Sequence, residues 1–378
     1  MLRFFLIYAA VYGGMNAYLF RNIRRAFELG GIGSPLLGLF LAAMVAAPAL
    51  VRVFEGRGLT LLARPAALLG YCWMAAALWL FVLFAGRDLW NLAVATFGHF
   101  APSARRFALP LRGSALAFFA AALLAGLWGS HEARQIRLRE VTLRLPRLPP
   151  GSRPVRILFV SDVHLDVLGG ERTLRRVAEL AEAAKPDVLL SGGDLVDAPA
   201  EHRGTSLELL RALPAPLGKY AITGNHEYYA GIREAERFTE DAGFRLLKGA
   251  SVLLGERLLL VGVDDPAARQ LDSRRTPGED ELLPQGADRP AVLLLKHRPE
   301  AERDSLGRFD LQLSGHSHGG QIYPFRYLSR LAYPLPDGLS EVGRGSLLYK
   351  GLGTGTWGPP FRLLAPPEVT LFVLAPSR

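Results

Sequence analysis

Long apolar runs fill the first third of the chain, and short alternating runs fill the rest. Leu2 to Phe20 is apolar apart from Arg3, Asn16 and several tyrosines, long enough to cross a hydrocarbon layer of ~30 Å. Three more runs follow, Pro35–Val51, Pro65–Ala85 and Gly113–Gly129, the last without a charge. One such run alone fits a signal peptide or a buried core helix. Four within 130 residues predict an all-α four-helix transmembrane bundle. The connector Arg21–Gly33 reads as an interfacial turn of helix. Arg87–Leu111 reads as a longer loop, with Trp90 and Phe97 suited to the headgroup zone.

Near His131 the pattern changes. Glu140–Leu145 sets Val141, Leu143 and Leu145 on one side, as in an edge strand, and a proline-rich turn follows at Pro146–Pro154. Val155–Val160 reads as a buried strand. Thr173–Ala184 reads as a helix with Leu174, Val177 and Leu180 inward, stopped before Pro186. The alternation continues with a strand at Asp187–Ser191, a short helix at Leu207–Leu213, a strand at Lys219–Ile222 and a helix at Ile232–Ala242. Val252–Leu254 and Leu258–Val263 pair as a hairpin across Gly255-Glu256-Arg257. Strands at Ala291–Leu295, Phe309–Leu313, Leu347–Lys350 and Val369–Leu374 complete the series. Asp265–Asp288, polar with Pro and Gly, reads as a surface loop. The expected organisation is a multi-pass membrane region over 1–132 and an α/β domain over 133–378.

The length of 378 residues suits that division. A net charge of +9 admits nucleic acid or anionic lipid as a partner, and the location of the charge decides. Met1 to Glu132 holds eleven Arg, no Lys and only four acidic residues, set between the apolar runs. Arginines that bracket apolar segments belong to a membrane protein, so no nucleic-acid partner is expected. Four crossings put both termini on one side. The arginines do not say which: Arg3, Arg52, Arg57, Arg64, Arg134, Arg137 and Arg139 balance Arg21, Arg24, Arg25, Arg87, Arg105, Arg106 and Arg112. Arg144, Arg147, Arg153 and Arg156 lean slightly to a cytoplasmic tail. The single cysteine, Cys72, excludes an internal disulfide and a thiolate zinc cluster.

The candidate chemistry sits where strands end. Ser161-Asp162-Val163-His164 follows the first buried strand, Gly192-Gly193-Asp194 the next, and Gly224-Asn225-His226-Glu227 the third. His297 follows Ala291–Leu295, and Ser314-Gly315-His316-Ser317-His318-Gly319-Gly320 follows Phe309–Leu313. Open α/β sheets place their sites beyond the carboxyl ends of strands. Taken singly, each residue has a plain structural role: Asp162 as a turn cap, Asp194 as a strand terminator, Asn225 in a left-handed turn, His297 as a core imidazole. Asp166 and Asp197 read as caps or supporting partners. Five strand ends in one chain are a different matter. Oxygen and imidazole donors without thiolate suit Mn, Fe or Zn. Seven ligands exceed one tetrahedral site and suffice for two ions with a bridging carboxylate, the apparatus that hydrolyses phosphate esters.

Asp-x-His, Gly-Gly-Asp, Gly-Asn-His-Glu, a later lone His and Gly-His-Ser-His, in this order, resemble the calcineurin-like metallophosphoesterases. The resemblance runs from about Arg153 to Leu374. The continuation Gly315 to Pro324, the closing Lys350 to Gly355 and Pro366-Pro367-Glu368 resemble that family's membrane-associated branch. That branch includes transmembrane metallophosphoesterases and some enzymes acting on phospholipid or lipid A precursors. The resemblance implies a sandwich of two mixed sheets flanked by helices. It implies Asp162, His164 and His318 on one divalent metal, Asn225, His297 and His316 on a second, and Asp194 as the bridge. His226 would protonate the leaving group or stabilise phosphoryl oxygens. Glu227 stands where many members have Asp, which leaves its orienting role open. Arg298, next to a ligand, reads as a solvated side chain, with a contact to phosphate as the alternative.

The reading is therefore a membrane-bound hydrolase with two divalent metals, acting on phosphate mono-, di- or pyrophosphate esters. The membrane region points to a lipid-borne substrate such as a phospholipid or a nucleotide-linked glycolipid precursor. A tethered phosphodiesterase of soluble nucleotides is the second reading, and a membrane sensor that binds metal without turnover is the third. The filled ligand positions and His226 argue against the sensor. The absence of an intramembrane acidic pair argues against a transporter.

Overall fold

The computed structural model describes residues 6–168, 170–197, 204–255, 258–286 and 288–377. The chain divides into two compact units, Met1–Ser130 with Gly358–Phe361, and His131–Trp357 with Arg362–Arg378.

The first unit is helical. A π-helical turn at Ala9–Gly13 leads into α1 (Gly14–Ala26), followed by α2 (Gly33–Glu55), α3 (Thr60–Phe97) and α4 (Leu111–Glu132). The last three are long and apolar enough to cross a membrane. α1 is not among them, and the expected span from Leu2 begins outside the described residues. Two expectations fail here. Arg21, Arg24 and Arg25 belong to the last turns of α1 rather than to a separate connector. The helix expected to end at Ala85 runs on to Phe97, so the loop expected from Arg87 is half helix. Between Gly86 and the Gly98 cap there is neither Gly nor Pro, and Leu89, Leu92, Ala93 and Ala95 favour the helix. Only a 3₁₀ segment, Pro102–Phe107, and its flanks remain. Small residues set the approach of α2 to α3: a Cβ on Gly70 would stand 2.5 Å from that of Ala47. Trp73 Nε1 donates to Asn16 Oδ1 at 2.8 Å and ties α3 to α1.

The second unit carries twelve described strands in two six-stranded sheets. In chain order these are β1 (Arg137–Leu145), β2 (Val155–Val160), β3 (Val188–Ser191), β4 (Lys219–Ala221), β5 (Arg245–Leu246), β6 (Ala250–Leu254), β7 (Leu258–Gly262), β8 (Ala291–Leu295), β9 (Leu311–Ser314), β10 (Gly338–Gly343), β11 (Ser346–Lys350) and β12 (Glu368–Pro376). The sheets run β1-β12-β2-β3-β4-β5 and β10-β11-β9-β8-β7-β6, and both are mixed. β2 to β5 are parallel neighbours, as are β7, β8, β9 and β11. β1 is an edge strand, as its one-sided pattern predicts. The helices are α5 (Glu171–Ala184), α6 (Gly204–Ala212), α7 (Asn225–Ala230), α8 (Ile232–Asp241), α9 (Ala268–Leu271), α10 (Glu279–Leu282) and α11 (Arg326–Ala332). α9 and α10 fall inside the segment expected to be a plain loop. The hairpin β6–β7 forms, and Glu256 and Arg257 of its turn lie outside the described residues.

Side-chain period two explains the layers. Ile157 and Phe159 of β2 pack with Leu293, Leu295, Leu313, Tyr349 and Phe372 between the sheets. Leu158 and Val160 point the other way, to Leu174 and Val177 of α5 and Phe238 of α8. On β8, Leu293 and Leu295 face inward while Val292 and Leu294 join Phe309 on the far side. Phe372 lies at the centre, fully buried, its ring 5.0 Å from Tyr349 and 6.4 Å from Phe159. Phe372→Ala is expected to destabilise the protein by about 3–5 kcal/mol. Thermal unfolding of the detergent-solubilised chain checks this, and an unchanged midpoint would contradict the packing described.

Candidate metal centre

Five strands of the parallel runs, β2, β3, β4, β8 and β9, deliver polar residues that gather together. Asp162 and His164 follow β2, Asp194 follows β3, His297 follows β8, and His316 and His318 follow β9. Asn225 and His226 open α7 just beyond β4. Backbone bonds stitch these loops together. Asp162 N–H donates to Gly193 O at 3.0 Å, His164 N–H to Asp194 O at 3.0 Å, and Gly315 N–H to His297 O at 2.9 Å. The carboxylates then join one loop to another. Asp162 Oδ1 accepts the N–H of His316 at 2.8 Å, and Asp194 Oδ1 that of His226 at 2.9 Å.

Asp162, His164, Asp194, His316 and His318 all adopt positive φ, between 48° and 67°. A non-glycine residue there costs roughly 1–3 kcal/mol, and such positions gather at functional sites. The left-handed turn that was the plain alternative for Asn225 does not form; the residue is helical. Two glycines make room. A Cβ at Gly224 would lie 2.2 Å from Asp194 Oδ1, and one at Gly315 would lie 2.2 Å from Asp162 Oδ2.

Three overlapping groups emerge: Asp162, His164 and His318; His164, Asp194 and His226; Asp194, His297 and His316. Within each, the ligand atoms lie within 4.8 Å of one another. His164 Nε2 and His318 Nε2 converge at 2.9 Å, and His318 Nε2 stands 3.5 Å from Asp162 Oδ1. His297 Nε2 is 3.0 Å from Asp194 Oδ2 and 3.2 Å from His316 Nδ1. The other ring nitrogens are spoken for. His164 Nδ1 meets Asp197 Oδ1 at 2.7 Å, and His297 Nδ1 meets Gly192 O at 2.8 Å. Such outer bonds fix the tautomer and turn Nε2 inward.

Charge divides the imidazoles into two kinds. Burial opposes a charge on His164, yet Asp197 and the two site aspartates outweigh it and raise it to about 9. Burial likewise opposes a charge on His297, and Asp194 raises it to about 10. Burial and the neighbouring His297 push His316 down to about 3, and burial with the Arg362 guanidinium pushes His318 well below its usual range. Asp194 and Asp197 stay well below the usual carboxylate range: burial works against them, and the surrounding histidines prevail. Burial, with Asp194 nearby, raises Asp162.

The residues present fit a pair of divalent ions. Asp162 Oδ2 and Asn225 Oδ1 are buried without a hydrogen-bond partner among the described residues, although buried acceptors are normally paired. Carboxylate and amide oxygens with imidazole nitrogens together suit Mn, Fe or Zn.

Several residues at the site have little or no signal in the sequence. Asp197, read as a cap or supporting partner, takes the second role: it holds His164 on one oxygen, and His226 Nδ1 stands 2.9 Å from the same atom without hydrogen-bond alignment. Asp166 does cap a turn, through Leu168 N–H at 2.8 Å. Glu227 orients backbone rather than His226. It accepts the N–H groups of Asp194, Leu195, Val196 and Gly224 at 2.6–3.1 Å, clamping the β3 and β4 loops together. Burial and the Asp194 charge push Glu227 up to about 7 against the Gly224 and Val196 donors. Arg298 is only partly solvated; it forks onto Asp265 at 2.8 and 3.0 Å. Arg362, fully buried, donates to His318 O, Leu352 O and Ala365 O and so holds the Gly-His-Ser-His loop. Tyr333 stands 5.2 Å from the His316 ring, and Tyr229 and Trp357 each 5.5 Å from that of His226.

Comparison with known proteins agrees with this geometry. The model of the calcineurin-like phosphoesterase family matches residues 155–320. An uncharacterized metallophosphoesterase of Aquifex aeolicus is 36% identical over 254 residues, covering 67% of this chain and 97% of its own. An uncharacterized metallophosphoesterase of Bacillus subtilis is 31% identical over 283 residues, covering 70% of this chain and 96% of its own. A zebrafish (Danio rerio) transmembrane protein with a metallophosphoesterase domain is 31% identical over 277 residues, covering 70% of this chain and 63% of its own. The chain belongs to the calcineurin-like metallophosphoesterases and is a metal-dependent phosphoesterase.

Proposed function

We propose that the chain is a membrane-anchored phosphoesterase working with two divalent metals on a phosphate ester carried by a lipid. Asp162, His164 and His318 hold the first metal, Asn225, His297 and His316 the second, and Asp194 bridges. The observation that carries this is the meeting of the Asp162 and Asp194 groups through His164, with Asp162 Oδ2 and Asn225 Oδ1 left for a cation. The metals supply Lewis-acid activation of water and positive charge for the phosphoryl oxygens.

The protein's own groups do the rest. His226 Nδ1 lies 2.9 Å from Asp197 Oδ1, close enough for the carboxylate to offset charge on the imidazole while Nε2 carries a proton to the departing oxygen. The same carboxylate holds His164, so one residue aligns a ligand and stands beside the acid. Glu227 keeps Asp194 and the Asn225 turn at fixed separation. Three apolar helices support membrane anchoring, and a lipid-borne ester is the substrate such an anchor serves best.

Purified protein is expected to hydrolyse bis-p-nitrophenyl phosphate with Mn²⁺ and to lose turnover with chelator or in Asp194→Ala. His226→Ala is expected to keep its metal while kcat falls about 10²–10⁴-fold. Turnover that survives Asp194→Ala would overturn the bridging role. Asp197→Asn is expected to weaken metal affinity or activity about 10–100-fold. Titrating apo-protein with Mn²⁺ checks this, and wild-type affinity with wild-type kcat would remove Asp197 from the machinery. In lipid discs, kcat/KM should favour a phospholipid-type ester over its short-chain soluble counterpart. Equal values would leave the helices as an anchor alone.

A further inference from the structure

Exposed apolar side chains of the second unit are mostly scattered singly, as Leu217, Leu253 and Leu271 are. One group is not. Behind the Gly-His-Ser-His loop, Phe325, Tyr327, Leu328 and Leu331 of α11 and its cap are exposed, Leu331 by 82%. None of the α11 residues is buried. Trp357 and Leu364 extend the same surface, also exposed by half or more. The bonds of this region make it continuous. Gln321 exchanges two hydrogen bonds with the Trp357 backbone, Tyr323 N–H donates to Leu363 O, and Arg326 reaches Leu364 O. A contiguous apolar surface of this kind marks an interaction site.

The chemistry of the segment selects its partner. Gln321 to Pro336 contains two arginines, Arg326 and Arg330, and no acidic residue; the adjoining Asp337 stands 3.7 Å from Arg326, so Arg330 is the cation offered to an anionic surface. Aromatic rings, leucines and arginines without acids are the composition of the headgroup zone of an anionic membrane. Four residues separate Glu132, the end of membrane-capable α4, from Arg137, the start of β1. The surface adjoins the metal centre through Tyr333 beside His316 and Trp357 beside His226.

We propose that α11 with Phe325, Trp357 and Leu364 seats in the headgroup layer of the membrane that carries the chain, and holds the rim of the metal centre against the lipid surface. This rests on the anchoring half of the proposed function and not on its chemistry. It gives a lipid-borne ester a path to the metals without leaving the interface.

The test uses the full chain in nanodiscs of phosphatidylcholine and phosphatidylglycerol. An environment-sensitive fluorophore is placed on Leu331→Cys or Leu328→Cys in a Cys72→Ser background, with Leu253→Cys as the control. Turnover of bis-p-nitrophenyl phosphate, which the labelled positions do not touch, verifies folding; its absence in wild type would count against the chemistry, not against the seating. Lipids carrying a nitroxide at the headgroup or upper acyl carbons are expected to quench the α11 probes several-fold more than the control, with shielding from aqueous iodide. Arg330→Gln should reduce this quenching most in discs rich in phosphatidylglycerol. Iodide quenching equal to the control would overturn the proposal. So would shielding from both quenchers, which would assign the surface to a protein partner or a second copy of the chain.

Discussion

Asp162, Asp194 and Asp197 lie buried among five histidines, and holding that charge in one place is the constraint on which the second unit depends. Buried carboxylates repel one another and lose their hydration, so each needs a partner in a fixed position. Asp197 has His164, Asp194 has His297 and the His226 N–H, and Asp162 has the His316 N–H. Remove the order of the loops and the cluster has no stable arrangement. The sandwich exists, in energetic terms, to oppose that repulsion with apolar burial. Phe159, Phe372 and Tyr349 between the sheets and Leu158 with Phe238 outside them keep the strand ends in register.

The strain at the strand ends has a function within this arrangement. Five ligand candidates turn through left-handed backbone immediately after leaving a strand or a tight loop. A side chain at such a corner swings back over the sheet edge instead of continuing along it, so residues from separate strands converge on one volume. The glycines that pass between them, Gly224 and Gly315, carry no Cβ because an aspartate oxygen already occupies that space. Glu227 and Arg362 act as opposite clamps. The first gathers backbone N–H groups behind Asp194, and the second gathers carbonyls behind His318.

Much of this was legible in the sequence because it depends on local pattern. β2 and β8 begin and end where the apolar runs do, and polar residues placed directly after such runs are conspicuous. The seven residues singled out at strand ends gather together for that reason. What escaped the sequence depends on distant contacts. Asp197 looks like any turn aspartate until His164 and His226 are seen beside it. The role of Glu227 stayed open in the sequence, and it is the backbone N–H groups of two loops, distant in the chain, that reveal it. β10, with a glycine at each end and only β11 to pair with, has no strand signature of its own. α11 was missed because its apolar residues face outward, where helical periodicity on a buried face gives no signal. The helical unit was legible by composition, while the extent of α3 was not. Arg87 and Asp88 looked like the end of a span but continue the helix.

The central claim is that these side chains form one dinuclear centre with Asp194 between two ions. Anomalous diffraction at the manganese edge from crystals grown with Mn²⁺ tests it most directly. The account predicts two peaks about 3.5–4 Å apart, one against Asp162, His164 and His318, the other against Asn225, His297 and His316, with Asp194 touching both. A single peak, or a pair that Asp194 does not join, would contradict it.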